Sequence, residues 1–115
     1  MRCMAIVKAT RDYEAGKPPK PELMAAMGKL AQEEQKLGIF EMGGGLLPSS
    51  QGHKVRMSSG RITVTDGPFA EAKEIVGGFF LLDCSREQAL EAAAACPAAE
   101  FATIEVREVA PCWER

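Results

Sequence analysis

The sequence predicts one α+β domain in which two helices pack on an antiparallel sheet. Two observations support this prediction. Apolar residues recur at helical spacing after Pro21 and again after Ser85, and each helical stretch lies between short strand-like runs. The segment from Lys54 to Thr65 alternates between apolar and polar residues, as a β-hairpin does. The resulting order, β-α-β-(β-hairpin)-β-α-β, is that of the split βαβ, ferredoxin-like plan with an inserted hairpin, over residues 1–115 as a single domain.

The first half of the chain begins with a continuous apolar run, Cys3 to Val7, which suits a strand buried on both faces. Arg11 to Lys20 is polar and contains Gly and Pro, so we expect a loop there. A helix is predicted to begin at Pro21, whose fixed φ suits the first turn, and to end at Gly38 as a left-handed cap. Its apolar stripe consists of Leu23, Met27, Leu30 and Leu37.

The middle of the chain is predicted to be rich in strands. Ile39 to Met42 is the next strand, and residues 43–45, three glycines, are interpreted as a bend or bulge. Ser58-Ser59-Gly60 has the length and chemistry of a three-residue hairpin loop. Gly77 to Asp83 follows as a strand with apolar residues on both faces. One side of the hairpin carries Val55, Met57, Ile62 and Val64.

The second helix has the clearest start signal. Ser85 and Gln88 form a capping box, and Pro97 ends the helix, which places it near residues 86–96. Phe101 to Val109 is the last strand. The buried face of this helix is predicted to hold Ala89, Leu90 and Ala93.

Two helices can cover only one face of the sheet. The strand segment from Phe79 to Leu82 is apolar on both sides, so the second face needs a cover as well. Homodimerisation through the sheets is the simplest arrangement, and we expect it.

The charge balance and the apolar runs exclude two classes of partner. The formal net charge is −2, and Lys and Arg are scattered without an adjacent pair, whereas nucleic-acid binding needs a concentrated basic face. Ile75 to Leu82 is too short to span a bilayer, and the segment before Lys8 is too short for a signal-peptide core. We therefore expect a cytoplasmic protein with no direct nucleic-acid partner and no membrane contact.

The cysteines are not spaced as metal ligands. The chain has no CxxC pair and no histidine near a cysteine, and it lacks phosphate-binding loops. No tightly bound metal or organic cofactor is expected. Cys3, Cys84 and Cys96 are interpreted as small core residues of a reducing compartment, and the fourth cysteine is Cys112.

The most specific pattern is VTDGPFAEAKEIVGGFFLLD, from Val64 to Asp83. An Asp-Gly-Pro-Phe tetrapeptide is followed by three closely spaced charges, a glycine pair and an aromatic residue. Upstream, GGGLLP supplies a G-x-L-x-P element. These motifs resemble the YCII-related family, in its DGPF-domain branch, over nearly the whole chain from Met4 to Val109. The residues that match are Asp66, Gly67, Pro68, Phe69, Glu71, Lys73, Glu74, Gly77, Gly78 and Phe79.

The resemblance implies a fold and a setting rather than a reaction. It implies a ferredoxin-like dimer of the dimeric α+β barrel type. Members of the DGPF branch are often encoded beside extracytoplasmic-function sigma factors, which implies a regulatory or ligand-sensing role and a sigma-factor-related protein partner. Another branch is suspected of acid-base chemistry by a histidine on the first helix and a later aspartate. The first helix here has no histidine, so that dyad is not carried over.

The tetrapeptide admits two interpretations. Pro68 removes an N–H donor and restricts Gly67, so the strand has to leave the sheet there. In the structural interpretation, Asp66 caps a short helical turn and the charges behind it form a solvated face. In the functional interpretation, this departure exposes a rim where Asp66 acts as general base or ligand anchor, tuned by Glu71 or Lys73. The candidate ligand-binding residues are Asp66, Gly67, Pro68, Phe69, Glu71, Lys73, Glu74, Gly77 and Gly78.

Two smaller questions stay open at this point. Gly77 and Gly78 either let a ligand approach closely or form a bulge that bends the strand. His53 is the only histidine, and a lone loop histidine is more typical of an exposed polar residue than of a catalyst.

Two classes of function remain. The first is a non-catalytic ligand-binding or regulatory module. The second is a small-molecule enzyme, an isomerase or hydrolase, with Asp66 as its candidate catalytic carboxylate. The absence of histidine from the first helix removes the usual proton shuttle and favours the module.

Overall fold

The computed structural model describes residues 1–69 and 75–110, which contain three α-helices and six strands. Short 3₁₀ turns lie at Ser49–Gln51 and Pro97–Glu100. The helices are α1 (Arg11–Glu14), α2 (Pro21–Lys36) and α3 (Arg86–Ala95). The strands are β1 (Arg2–Lys8), β2 (Phe40–Gly45), β3 (His53–Ser58), β4 (Arg61–Asp66), β5 (Val76–Asp83) and β6 (Ile104–Glu108).

Four strands form one antiparallel sheet in the order β2-β5-β1-β6. In the register of β1, Ile6 lies opposite Phe79 of β5 on one side and opposite Glu105 of β6 on the other. The helix α2 connects β1 to β2 across the intervening β5, and α3 connects β5 to β6 across β1. The chain therefore makes two split βαβ units, an α+β fold consistent with the ferredoxin-like plan predicted from the sequence.

Local sequence signals begin and end the two long helices as predicted. Pro21 occupies the first turn of α2, and Gly38 after it has a φ of 74°, in the left-handed region. The Ser85 hydroxyl accepts a hydrogen bond from the Gln88 N–H, and the Gln88 side chain accepts one from the Ser85 N–H. This reciprocal pair is the predicted capping box of α3.

The core lies between the helices and one face of the sheet. Cys3 of β1, Leu82 of β5 and Ala89 of α3 are buried there almost completely. The rings of Phe40 and Phe80 pack edge to face beside them, with their centroids 6.2 Å apart. The small side chains at the centre let the helices approach the sheet closely.

The opposite face of the sheet has no helix against it in the described part of the chain. Met4, Ile6, Phe79 and Leu81 lie at its centre, because they alternate with the buried residues along β1 and β5. The smallest dimension of the molecule is 17 Å, which fits one sheet and one helix layer at about 10 Å per layer. An apolar, half-buried sheet face is therefore left without a second layer.

The strands β3 and β4 form a separate two-stranded sheet. Their connection is the two-residue turn Ser59-Gly60, with φ angles of 51° and 77°, and not the predicted three-residue loop. Positive φ at both central residues defines a type I′ turn, whose twist matches that of the flanking strands. The shorter turn moves the pairing by one residue and places His53 opposite Asp66.

The hairpin exposes one apolar face. The apolar residues of this face are 58–69% exposed. They are left open because the strands β3 and β4 contact mainly each other. Basic and hydroxyl side chains occupy the other face, since the two strands alternate. The exposed apolar residues are Val55, Met57, Ile62 and Val64.

Three expectations about the helices are corrected. Residues 11–14, predicted as loop, form α1 because the Thr10 hydroxyl accepts a hydrogen bond from the Tyr13 N–H (3.1 Å) and caps the helix. Leu37 was expected on the buried stripe of α2, but it lies after the helix end and is 73% exposed. Leu90 of α3 is 49% exposed, because it lies outside the face that Ala89 buries.

The interpretation of residues 43–45 as a bend or bulge is also wrong. These glycines pair with β5 in regular register, and the irregularity of β2 lies at Glu41. A Cβ at Gly43 would lie 2.8 Å from the ring of Phe80 and 3.0 Å from the carbonyl oxygen of Phe79. Glycine is needed there because two consecutive aromatic residues of β5 approach the backbone of β2 closely.

The helix α2 buries one charged residue, Glu34, which is 5% exposed. Its Oε2 atom has no hydrogen-bond partner among the described residues, and the side chain lines a cavity of about 10 Å³ with mostly apolar walls. Burial, with the negative charge of Glu33 adding to it, raises the pKa of the Glu34 carboxyl above its usual range. Folding therefore shifts the protonation equilibrium of Glu34 toward the neutral acid.

Replacing Glu34 with glutamine should stabilise the protein in a pH-dependent way. The folded-state pKa of Glu34 is raised, so wild-type stability falls as the pH rises above the unfolded value of about 4.3. The neutral amide avoids this loss. We expect Glu34→Gln to be more stable than wild type near pH 8 and to have no such gain well below the unfolded pKa.

Denaturant unfolding over this pH range measures the difference. Glu91→Gln, at an exposed position on α3, is the matched control and should show no such trend. A gain for Glu34→Gln that is the same at every pH would contradict the proposed cost of ionisation.

Candidate functional site

The Asp-Gly-Pro-Phe segment leaves β4 and packs against the preceding 3₁₀ turn. The Gly67 N–H donates to the carbonyl of Gly52 (3.0 Å), and the Phe69 N–H donates to the hydroxyl of Ser49 (3.1 Å). The peptide bond between Gly67 and Pro68 is cis. A Cβ at position 67 would collide with the carbonyl oxygen of Ser49, so only glycine fits there.

Ser49 joins three parts of the chain. It is 5% exposed, and its N–H and hydroxyl donate to the two carboxylate oxygens of Glu14 at 2.9 and 2.5 Å. Its hydroxyl oxygen also accepts the hydrogen bond from Phe69. Tyr13 donates its hydroxyl to the carbonyl of Leu46, at the end of β2. We call these residues, Tyr13, Glu14, Leu46, Ser49 and Phe69, the Ser49 cluster.

An open cleft of about 650 Å³ lies beside the Ser49 cluster. Phe69 forms part of its wall and packs near Gly52. The Lys54 ammonium nitrogen lies 4.3 Å from the centroid of the Phe69 ring, a cation–π contact. We call this space the Phe69 cleft. The rest of its described wall is mostly apolar and includes Leu46, Leu47, Gln51, Ile75 and Val76.

Asp66 and His53 form a pair at the base of the hairpin. The Nδ1 atom of His53 lies 2.8 Å from the Oδ1 atom of Asp66, and the two side chains are 64% and 79% exposed. When the proton is on Nδ1, the ring donates to the carboxylate and its Nε2 atom becomes the acceptor. When a carboxylate orients a histidine in this way, the free imidazole nitrogen can act as a general base.

The His53–Asp66 pair and the Phe69 cleft lie on opposite faces of the hairpin. Side chains alternate along β3, so His53 and Lys54 point to different faces. Lys54 lines the cleft, whereas Asp66 shares the face of His53, its partner across the ladder, and does not line the cleft. A ligand in the cleft would contact Phe69 and Lys54 and not the Asp66 carboxylate.

The other predicted site residues are spread over the structure. Pro68 is exposed. The register of β1 against β5 skips Gly77, so the glycine pair forms a bulge, which is one of the two alternatives left open by the sequence. The carbonyl of Gly77 accepts a hydrogen bond from the N–H of Leu46 (2.9 Å). Gly78 is buried against the backbone of β2. Glu71, Lys73 and Glu74 lie outside the described residues.

Sequence reasoning missed Lys54 and the link between Ser49 and Glu14, and it gave His53 a minor role. Counting back from the two-residue turn places His53 opposite Asp66, whereas a three-residue loop would place Thr65 there. The Ser59-Gly60 pair that forms the two-residue turn is a local feature of the sequence, so the pairing of His53 with Asp66 could have been found from it. Ser49 and Glu14 are 35 residues apart, and no local pattern connects them.

The three cysteines within the described residues supply no activated nucleophile. Cys3, Cys84 and Cys96 are buried as predicted, and burial raises the pKa of each thiol, which disfavours the reactive thiolate. Cys112 lies outside the described residues. Within residues 1–69 and 75–110, no group of three or more metal-ligating side chains comes together. No helix in those ranges is both long and apolar enough to cross a membrane.

Replacing Gly67 with alanine should destabilise the protein by about 1–3 kcal/mol, because the added methyl group forces the backbone away from Ser49. Gly28→Ala is the matched control: a Cβ at this helical position meets nothing within 4 Å, and the change should stabilise α2 by about 1 kcal/mol. Denaturant unfolding of both variants tests the close packing. A Gly67→Ala variant as stable as wild type would contradict it.

Comparison with known proteins gives two matches. The model of the YCII-related domain matches residues 1–113. An uncharacterised protein of Rhizobium meliloti (strain 1021) is 43% identical over 69 residues, which cover 59% of this chain and 53% of that protein. The chain thus spans about half the length of this relative. Since the family model matches almost the entire chain, the protein belongs to the YCII-related family.

Proposed function

We propose that this protein is a small ligand-binding module of the DGPF branch, and that its ligand occupies the Phe69 cleft. The observation that carries the proposal is the position of Phe69. The last residue of the tetrapeptide is held by the Ser49 cluster and forms a wall of a largely apolar cleft. A concave, mostly apolar surface with a few polar groups is the usual form of a small-molecule site.

The geometry favours binding over catalysis in this cleft. The hydroxyl of Ser49 donates to Glu14 and accepts from the Phe69 N–H, and Ser49 is 5% exposed, so this group is tied into the structure. The His53–Asp66 pair lies on the other face of the hairpin. Lys54, Gln51 and Ser49 are the polar residues of the described wall, and Lys54 and Gln51 can recognise a ligand by charge and by hydrogen bonding.

The proposed setting is regulatory and cytoplasmic. The resemblance to the DGPF branch supports a role beside an extracytoplasmic-function sigma factor, with a sigma-factor-related protein as partner. In this proposal, occupancy of the Phe69 cleft is the signal that the module reports.

A second candidate function is an acid-base enzyme, and the His53–Asp66 pair favours it. The sequence offered Asp66 as a lone carboxylate, whereas the structure pairs it with an imidazole at 2.8 Å. In this alternative the pair transfers a proton, and the substrate lies against the apolar face of the hairpin rather than in the Phe69 cleft.

Ligand-observed NMR with a library of small metabolites should separate the two functions. The module predicts that wild type binds at least one compound and that Phe69→Ala loses this binding, while turnover is not detected. Phe101→Ala is the matched control, because Phe101 is 63% exposed and does not line the cleft. The variants His53→Gln and Asp66→Asn should bind as wild type does.

The opposite pattern would contradict the module. If wild type converts a compound and either His53→Gln or Asp66→Asn removes that turnover, the enzyme is the better description. Asp12→Asn, which changes another exposed ion pair, controls for a general effect of charge. Unchanged binding in Phe69→Ala would show that the ligand lies outside the cleft.

We also propose that the protein is a homodimer of the dimeric α+β barrel type. The open sheet face with Met4, Ile6, Phe79 and Leu81 at its centre supports this, because an apolar face of this kind is costly to leave in water. The second copy would supply the layer that the 17 Å thickness of one chain lacks.

Sedimentation at micromolar concentration should give twice the 12.4 kDa mass of one chain. Ile6→Lys places a charge in the proposed interface and should shift the equilibrium toward monomer. Leu90→Lys, an exposed position on the helical side, should leave the dimer intact. A monomer in wild type, or a dimer unaffected by Ile6→Lys, would contradict the proposed interface.

A further inference from the structure

We propose that the Phe69 cleft selects a small carboxylate with a single negative charge and an apolar body. This inference rests on the proposed ligand-binding function, and it names the class of ligand. It follows from the charge at one end of the cleft, the absence of acidic side chains from its described wall, and the apolar character of the remaining surface.

Lys54 provides the charge. Its ammonium group lies over the Phe69 ring, and the described lining of the cleft includes no carboxylate. Two other lysines pair with acids: Lys17 with Asp12 and Lys8 with Glu105. The ring attracts the cation through its quadrupole but leaves its hydrogen-bonding capacity unused. An anionic ligand can accept a charge-assisted hydrogen bond from Lys54 while the cation–π contact persists.

Within residues 1–69 and 75–110, Glu14 is an acidic residue in contact with the cleft wall, because it accepts hydrogen bonds from Ser49. Both of its carboxylate oxygens accept hydrogen bonds from Ser49, and Glu14 does not line the cleft. Two donors therefore already partner the Glu14 carboxylate, and it presents no atom to a ligand. The cleft retains a positive end at Lys54.

The remaining wall limits the rest of the ligand. Leu46, Leu47, Ile75 and Val76 offer an apolar surface, and a volume of about 650 Å³ suits a small molecule. Lys54 is the one cationic side chain among the described lining residues, so a polyanion such as a nucleotide would bury phosphates without partners. One carboxylate on an aromatic or branched aliphatic body matches both the charge and the apolar wall.

Three isosteric probes test the charge preference: benzoate, benzamide and benzamidine share one ring and carry a negative, zero and positive charge. Titration of ¹⁵N-labelled protein followed by NMR gives a Kd for each from the backbone signals of Gly52 and Val76. We expect benzoate to bind at least about tenfold more tightly than benzamide, and benzamidine to bind most weakly.

Two substitutions at Lys54 assign the preference to this side chain. Lys54→Met should weaken benzoate about tenfold and leave benzamide unchanged, while Lys54→Arg should keep the preference for the anion. Arg56→Met is the matched control. Arg56 lies two residues along the same face of β3, but it does not line the cleft, so its loss should leave all three Kd values unchanged.

The outcomes separate the ligand class from the cleft itself. If benzamide or benzamidine binds as tightly as benzoate, or if Lys54→Met keeps the preference, the anionic class is wrong and the cleft remains a binding site. If none of the probes shifts the Gly52 and Val76 signals, the class is also wrong. The metabolite screen with Phe69→Ala then decides the proposed function independently.

Discussion

The geometry of the candidate site depends on the hydrogen bonds of one buried residue, Ser49. A buried polar group has to be hydrogen-bonded, and Ser49 meets this requirement with Glu14 on one side and Phe69 on the other. Three chain segments distant in sequence meet at this one residue. Loss of any partner would leave a buried donor or acceptor unsatisfied, which makes the arrangement specific as well as stable.

The position of the cleft follows from this contact. Ser49 requires glycine at position 67, because the backbone passes directly against its carbonyl group. That close passage brings Phe69 beside Gly52 and under the ammonium group of Lys54. The tetrapeptide therefore has a structural role at Gly67 and also supplies Phe69 to the wall of the Phe69 cleft.

The hairpin separates two kinds of chemistry. One face carries the His53–Asp66 pair and continues into the exposed apolar residues, and the other face presents Lys54 to the cleft. Because side chains alternate on a strand, groups that are neighbours in sequence serve different environments. Recognition of a ligand and proton transfer, if both occur, would take place at different surfaces of the same element.

The sequence by itself determined the features that arise from neighbouring residues. The capping box of α3 and the end of α2 at Gly38 depend on side chains or backbone angles within a few positions, and both were predicted. The bulge at Gly77 was one of two alternatives that the sequence left open. The burial of the cysteines followed from their apolar contexts. The family motif likewise lies in one continuous segment and its upstream element.

Only the tertiary structure decided the site. The Ser49–Glu14 contact spans 35 residues, and no periodicity encodes which of many polar side chains will meet across that distance. The need for glycine at position 43 arises from Phe80 on a neighbouring strand. The pairing of His53 with Asp66 depended on a turn that is one residue shorter than expected. A shift of one residue changes every partner across a ladder, so the three-residue loop expected from the sequence would have placed Thr65 opposite His53.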